Sequence, residues 1–69
     1  MIGDIFWKVT EHWRIRRTVD GFNGGGGFWV NEEWFWPDGR LCRSHPLTLN
    51  AEKSWSMLEV NSGWTKEAD

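Results

Sequence analysis

The first strand-like pattern covers residues 6–19, where hydrophobic and polar side chains alternate. Alternation with a period of two predicts one β-strand whose odd-numbered side chains face a core, interrupted by Glu11 and Arg17. The competing interpretation is a helix over the first nine residues, because the apolar side chains from Ile2 to Val9 also fit helical spacing. The apolar odd-numbered positions are Trp7, Val9, Trp13, Ile15 and Val19.

The second strand-like pattern is "FWVNEEWFW", residues 28–36, and it carries aromatic side chains on both faces. We predict that the even-numbered positions form the core set, since they hold most of the large apolar side chains. Trp29 and Phe35 then point to the opposite face, beside Asn31 and Glu33. The predicted core set is Phe28, Val30, Trp34 and Trp36.

A tight turn at "WPDGR" is predicted after this strand. Pro37 presets φ for the first central position, Asp38 suits the second, and Gly39 accepts a positive φ. The segment "RLCRS" returns as a short third strand, with Phe35 paired to Leu41, and His45-Pro46 ends it. This register also places Leu41 on the face of Phe35, which implies a cover from the tail or a second subunit, or a register shifted by one residue.

Two further segments complete the predicted architecture. Residues 20–27, "DGFNGGGG", predict a mobile glycine-rich loop, because glycine loses much entropy on ordering. Asn50 is a suitable N-cap for a helix that Gly63 follows, and an alternating strand around Trp55 is the alternative. Residues 64–69 are predicted to be a frayed tail.

These elements predict an α+β fold: a three-stranded antiparallel β-meander with one C-terminal helix packed on one face. The whole chain, residues 1–69, is short enough for a single domain. Within that domain we predict that Trp34 of the sheet and Trp55 of the helix pack together.

Composition narrows the classes of protein. Seven tryptophans supply large apolar area to a small core. Cys42 is the single cysteine, so an intrachain disulfide is excluded. The formal net charge of −2 argues against a general nucleic-acid binder. The sequence shows neither a membrane-length apolar run nor a signal peptide, which favours the cytoplasm.

Motifs for catalysis or cofactor binding are nearly absent, so we predict a protein that is not an enzyme and needs no cofactor or metal. Cys42-x-x-His45 lacks the second pair of ligands that a structural zinc site requires. Glu32 and Glu33 are adjacent in a strand and therefore point to opposite faces, where they cannot act as a carboxylate pair.

The uncovered face of the sheet is the predicted binding surface, because one helix covers only one face. Tryptophan and arginine are enriched at interface centres, so this face predicts docking on a larger protein or a homodimer. Two alternatives remain: the rings serve only as core, or the face stacks single-stranded nucleic acid beside the cluster "RIRR", against which nearby acids argue. The predicted partner-binding residues are Trp29, Phe35, Arg14, Arg16, His12 and Glu33.

The stretches "WRIRRTV", residues 13–19, and "VNEEWFWPDG", residues 30–39, with weaker similarity at residues 50–60, resemble a group of short uncharacterised phage and bacterial proteins. The resemblance covers less than half of the chain, and this sequence departs from the group in its glycine loop and its shorter, less acidic helix. It implies a phage origin and a β-β-β-α order, and it carries no known activity. By analogy, small phage proteins suggest a non-enzymatic inhibitor of a host protein in the host cytoplasm.

Overall fold

The computed structural model describes residues 1–68 and shows a five-stranded antiparallel sheet with one short helix. The sheet order is β4-β3-β2-β1-β5, so the first four strands form a meander and the last pairs beside the first. The predicted three-stranded meander is therefore wrong: the protein is mostly β. The elements are β1 (Ile5–Val9), β2 (Arg14–Phe22), β3 (Phe28–Phe35), β4 (Leu41–Leu49), α1 (Ala51–Met57) and β5 (Thr65–Lys66).

The predicted first strand is in fact two strands joined by a loop at residues 10–13. Thr10 closes this loop, because its backbone N–H donates to the Trp13 carbonyl oxygen at 2.8 Å and its hydroxyl accepts from the Trp13 N–H at 3.0 Å. The hairpin pairs Val9 with Arg14, and so each odd-numbered residue of β1 lies beside an even-numbered residue of β2. The odd-numbered side chains of β1 consequently face away from the core, and Phe6 is the buried residue of that strand at 2% exposure.

The hairpin between β3 and β4 follows the predicted turn chemistry. The Trp36 N–H donates to the Arg40 carbonyl oxygen at 2.9 Å, and Gly39 adopts a φ of 93°. Phe35 pairs with Leu41 as predicted, but the register shifts between Phe35 and Trp34. β4 runs on to Leu49 instead of ending at Pro46, because it is an edge strand and proline is tolerated at a sheet edge.

The glycine-rich connection is shorter than predicted, since β2 continues to Phe22. Asn23 organises the remaining loop: its side-chain oxygen accepts from the N–H groups of Gly25 at 2.9 Å and Gly27 at 3.1 Å. Its side-chain nitrogen donates to the Leu49 carbonyl oxygen at 3.2 Å, which ties the loop to the end of β4.

Gly27 is the glycine of this loop that packs most closely. A Cβ atom at this position would collide with the Leu49 carbonyl oxygen and would approach the Asn50 backbone to 2.9 Å. We expect Gly27→Ala to lower the free energy of unfolding by about 1–3 kcal/mol in urea titrations, as overpacking does elsewhere. Gly24→Ala is the control, because a Cβ there meets nothing within 4 Å. Equal stability of the two variants would contradict this close approach.

Helix α1 begins as predicted and ends earlier. The Asn50 side chain accepts from the Lys53 N–H at 2.8 Å, which caps the first turn, but the helix ends at Met57. Ser54 links it to the sheet, because its hydroxyl accepts from the Phe28 N–H at 2.9 Å. The short helix covers only one end of one sheet face. The buried core there is Phe6, Val19, Phe28, Val30, Leu49 and Met57.

The predicted packing of Trp34 against Trp55 is wrong. The Trp55 ring is 58% exposed and its centroid lies 6.3 Å from that of Phe28, at the end of the sheet that the helix covers. Trp34 lies at the other end, where its ring packs edge-on against Trp13 at 5.4 Å. The pairing fails because α1 has only two turns and does not reach this end of β3.

The C-terminal segment lies against β1. The two residues of β5 pair with Phe6 and Trp7, and the Glu67 N–H donates to the Ile5 carbonyl oxygen at 2.7 Å. Asp69, the last residue of the predicted tail, lies outside the described residues.

Candidate functional site

The candidate site is the sheet face opposite α1, called the open face below. Strand register decides its membership, because paired residues of neighbouring strands share a face. Along residues 1–68 no helix lies across it. The open face comprises Ile5, Trp7, Val9, Arg14, Arg16, Thr18, Trp29, Asn31, Glu33, Phe35, Leu41, Ser44, Pro46 and Thr48.

One transverse row of the open face is mostly apolar. Val9 pairs with Arg14, Arg14 with Phe35, and Phe35 with Leu41, so these four side chains cross four strands side by side. Val9 is 63% exposed and Leu41 is 54% exposed. We call this set the apolar row. It places exposed aliphatic groups from the two outer strands of the meander on either side of a cation.

Arg16, in the adjacent row, lies near two aromatic rings that also contact each other. Its guanidinium carbon is 5.5 Å from the Trp7 ring centroid and 5.1 Å from that of Phe35. The two rings are themselves 5.8 Å apart. Cation–π contacts at these distances contribute about 0.5–1 kcal/mol each at exposed sites. Arg16 and the two rings therefore form one contiguous cluster on the open face.

The two open-face arginines differ in their ion pairing. Arg16 is held by Glu33, whose Oε1 atom accepts from Nε at 2.8 Å and from Nη2 at 2.7 Å. Arg14 is exposed and has no acidic partner among residues 1–68. Glu67 borders the face through a hydrogen bond that it accepts from the Trp7 indole N–H at 3.2 Å. Arg14 is thus the open-face cation without an acidic partner in residues 1–68, while Glu33 and Glu67 are engaged by Arg16 and Trp7.

Trp29 lies far from the Arg16 cluster. Phe35 is six positions further along β3, a distance of about 20 Å. Its ring is 52% exposed and lies over Gly21, where an added Cβ would meet the ring at 3.3 Å. Trp29 therefore also covers backbone at the irregular part of β2, where the register shifts.

The structure gathers most of the predicted binding residues on one face but not at one point. Arg14, Arg16, Glu33 and Phe35 lie together, and Trp29 lies at the far end of the same face. His12 is instead in the loop before β2, with its side chain 76% exposed and its Nε2 atom 4.0 Å from Glu11. His12 therefore lies at the rim of the open face and not within it.

Trp7, Val9 and Leu41 are apolar members of the open face that were not among the predicted binding residues. Sequence alternation assigned the first two to the core, because it was continued without a break through the loop at residues 10–13. Leu41 was placed on this face by the turn register and left without a role. The signal that identifies Trp7 and Val9 is the pairing of odd-numbered residues of β1 with even-numbered residues of β2, whereas Leu41 follows from its pairing with Phe35.

The helix-side face carries a second polar cluster, centred on Glu32, which is 6% exposed. Its carboxylate accepts from Arg17 Nε at 2.8 Å and from the Trp34 indole N–H at 2.7 Å, and His45 Nε2 lies 3.1 Å away. Burial favours a raised pKa for Glu32, but the hydrogen bonds from Trp34 and Arg17 and the charge of Arg17 outweigh it, so the pKa is lowered. The alternation of Glu32 and Glu33 between faces is as predicted.

This cluster is internally satisfied and offers little to a ligand. The Arg17 guanidinium is covered by the Trp64 ring, 4.3 Å from its centroid, and lies 3.8 Å from the Met57 sulfur atom. Every buried side-chain nitrogen and oxygen in the described part of the chain has a hydrogen-bond partner. The cluster therefore links β2, β3 and β4 structurally.

Comparisons with known proteins gave no match to a family model, to a curated protein or to a solved structure. Between residues 1 and 68, no helix is both long and apolar enough to cross a membrane. Within the same range no three His, Cys, Asp or Glu side chains are grouped as metal ligands.

Proposed function

We propose that this chain is a small non-enzymatic binding protein that docks on a larger protein through its open face. The observation that carries the proposal is the apolar row, where Val9 and Leu41 are more than half exposed on a face without a covering element. Exposed apolar groups gain little for a monomer but stabilise an interface that removes them from water. The tryptophan and arginine side chains beside the row match the composition of interface centres.

The size of the open face supports a larger partner over a second copy. The open face is four strands wide, with neighbouring strands about 4.8 Å apart, and it extends about 20 Å along the strands. With its side chains this gives a face of roughly 500 Å². A stable interface of standard size buries about 800 Å² on each partner. A flat face-to-face dimer falls short of that area, whereas a larger protein can also reach around the sheet edges.

The ion pairing supports a protein over a nucleic-acid ligand. Binding to single strands relies on several free cations that contact phosphates. On the open face Glu33 occupies Arg16, which leaves Arg14 as the uncompensated cation. The resemblance to short phage proteins extends the proposal to an inhibitor of a host protein, acting in the bacterial cytoplasm.

A pair of matched double variants tests the docking surface. We expect Val9→Ser with Leu41→Ser to fold and to lose at least tenfold in affinity for the partner, because two apolar side chains leave the interface. The control is Leu58→Ser with Val60→Ser, which changes apolar residues that are 45% and 88% exposed beyond the end of α1. The measurement is quantitative capture from bacterial lysate with mass spectrometry, followed by titration of the captured protein.

The outcome separates three cases. A protein that binds the parent and the control but not the Val9/Leu41 variant supports docking by the open face. Equal capture by both double variants contradicts it. Sedimentation of the parent as a dimer, with a monomer for the Val9/Leu41 variant, shows that the occupant is a second copy.

A further inference from the structure

The open face combines a single free cation with apolar neighbours, and this combination defines a class of ligand. Resting on the proposed function, we propose that the apolar row binds a partner segment that presents a carboxylate flanked by apolar side chains. Arg14 pairs with that carboxylate, and Val9, Phe35 and Leu41 contact the flanking groups. The site is thus selective for acidic, apolar segments of a protein.

Arg14 is the element of the row that a carboxylate would recognise. It lies between Val9 and Phe35 in the strand register, so its cross-strand neighbours on the open face are apolar. The nearest acid on the face, Glu33, pairs with Arg16 of the next row at 2.7 Å. Glu67 accepts from the Trp7 indole N–H at the border of the sheet. Neither acid neutralises Arg14.

Charge complementarity also argues against a second copy in this row. In a face-to-face pair of identical chains, the acids that the second copy offers to Arg14 already have partners, Glu33 with Arg16 and Glu67 with the Trp7 indole. An acidic segment instead gains a charge-assisted hydrogen bond in a place where apolar contacts exclude water.

A random linear peptide library displayed on yeast provides the probe. We expect the parent protein to enrich peptides that carry Asp or Glu beside Leu, Ile, Phe or Trp. A synthetic copy of an enriched peptide should bind Arg14→Glu at least tenfold more weakly than the parent. It should bind Arg14→Lys nearly as well as the parent, because the charge is kept.

Arg43→Glu is the matched control. Arg43 is also exposed and has no acidic partner in residues 1–68, but it lies over the Trp34 ring on the opposite face, 4.2 Å from its centroid. We expect this variant to bind the peptide as the parent does. Thermal melts of the three arginine variants confirm that each is folded before the affinities are compared.

The outcomes distinguish this inference from the proposed function. Enrichment of neutral or basic peptides overturns the inference, and so do acidic peptides that bind Arg14→Glu as tightly as the parent. The proposed function survives in these cases if the Val9/Leu41 variant no longer binds the peptides. Peptides that bind the Val9/Leu41 variant as tightly as the parent overturn both the inference and the proposed function. A library without any enriched peptide overturns the inference alone, since the lysate comparison then decides the proposed function.

Discussion

Replacing Glu32 with alanine is expected to lower the free energy of unfolding by about 3–5 kcal/mol, which is enough to unfold much of a marginally stable small domain. The reason is the charge that the change leaves behind. The Arg17 side chain is 18% exposed and pairs with Glu32 at 2.8 Å, so it would remain partly buried without its counter-ion. The Trp34 indole N–H would also lose its acceptor. Urea titration followed by tryptophan fluorescence measures the loss.

Glu33→Ala is the matched control, because the same residue type lies at the next position on the opposite face. Its partner Arg16 is 33% exposed and keeps its contacts with two rings, so we expect a cost of about 1 kcal/mol or less. A Glu32→Ala variant as stable as Glu33→Ala would show that the buried cluster contributes little.

The same carboxylate gives the folded protein an acid dependence of known sign. The pKa of Glu32 is lowered in the fold below its ordinary value of 4.5. Its contribution to stability is therefore complete above about pH 4.5 and is lost as the pH falls through the folded-state pKa. Glu32→Gln keeps the shape of the side chain without titrating, so its stability should fall less steeply in acid than that of the parent.

The Phe6→Ala variant is expected to lose about 3–5 kcal/mol of stability, as large aromatic truncations do in packed cores. Phe6 is 2% exposed and packs in the cluster between the sheet and α1. Phe22→Ala is the control, since that ring is 50% exposed at the end of β2. We expect the control to cost less than half as much in the same urea titration. A larger loss of stability for Phe22→Ala than for Phe6→Ala would show that Phe6 does not lie on the core face of β1.

The two hairpins show what local sequence could and could not predict. The turn at Pro37–Gly39 was predictable because its residue types constrain φ directly. The loop at residues 10–13 contains none of these types and is closed by the Thr10 hydroxyl, a contact that many sequences could make. Missing that loop merged two strands and inverted the faces of Trp7 and Val9, although the faces of β3 were assigned correctly.

The site was predictable only in part, for a related reason. Alternation along β3 placed Trp29, Glu33 and Phe35 on one face without knowledge of any neighbour. Which arginine is free depends on which residues pair across strands, and this follows from register. Arg16 lies opposite Glu33 and Arg14 lies opposite Phe35. No spacing within a single strand contains that information.

Proline in the outer strand β4 has a consequence for the behaviour of the protein at high concentration. A long edge strand is a template on which further chains can add, as in domain swapping and fibril growth. β4 is nine residues long, but Pro46 near its middle has no N–H to donate. A chain that docks along this edge meets an interruption in the ladder. Pro46 thereby limits the extension of the sheet along the β4 edge.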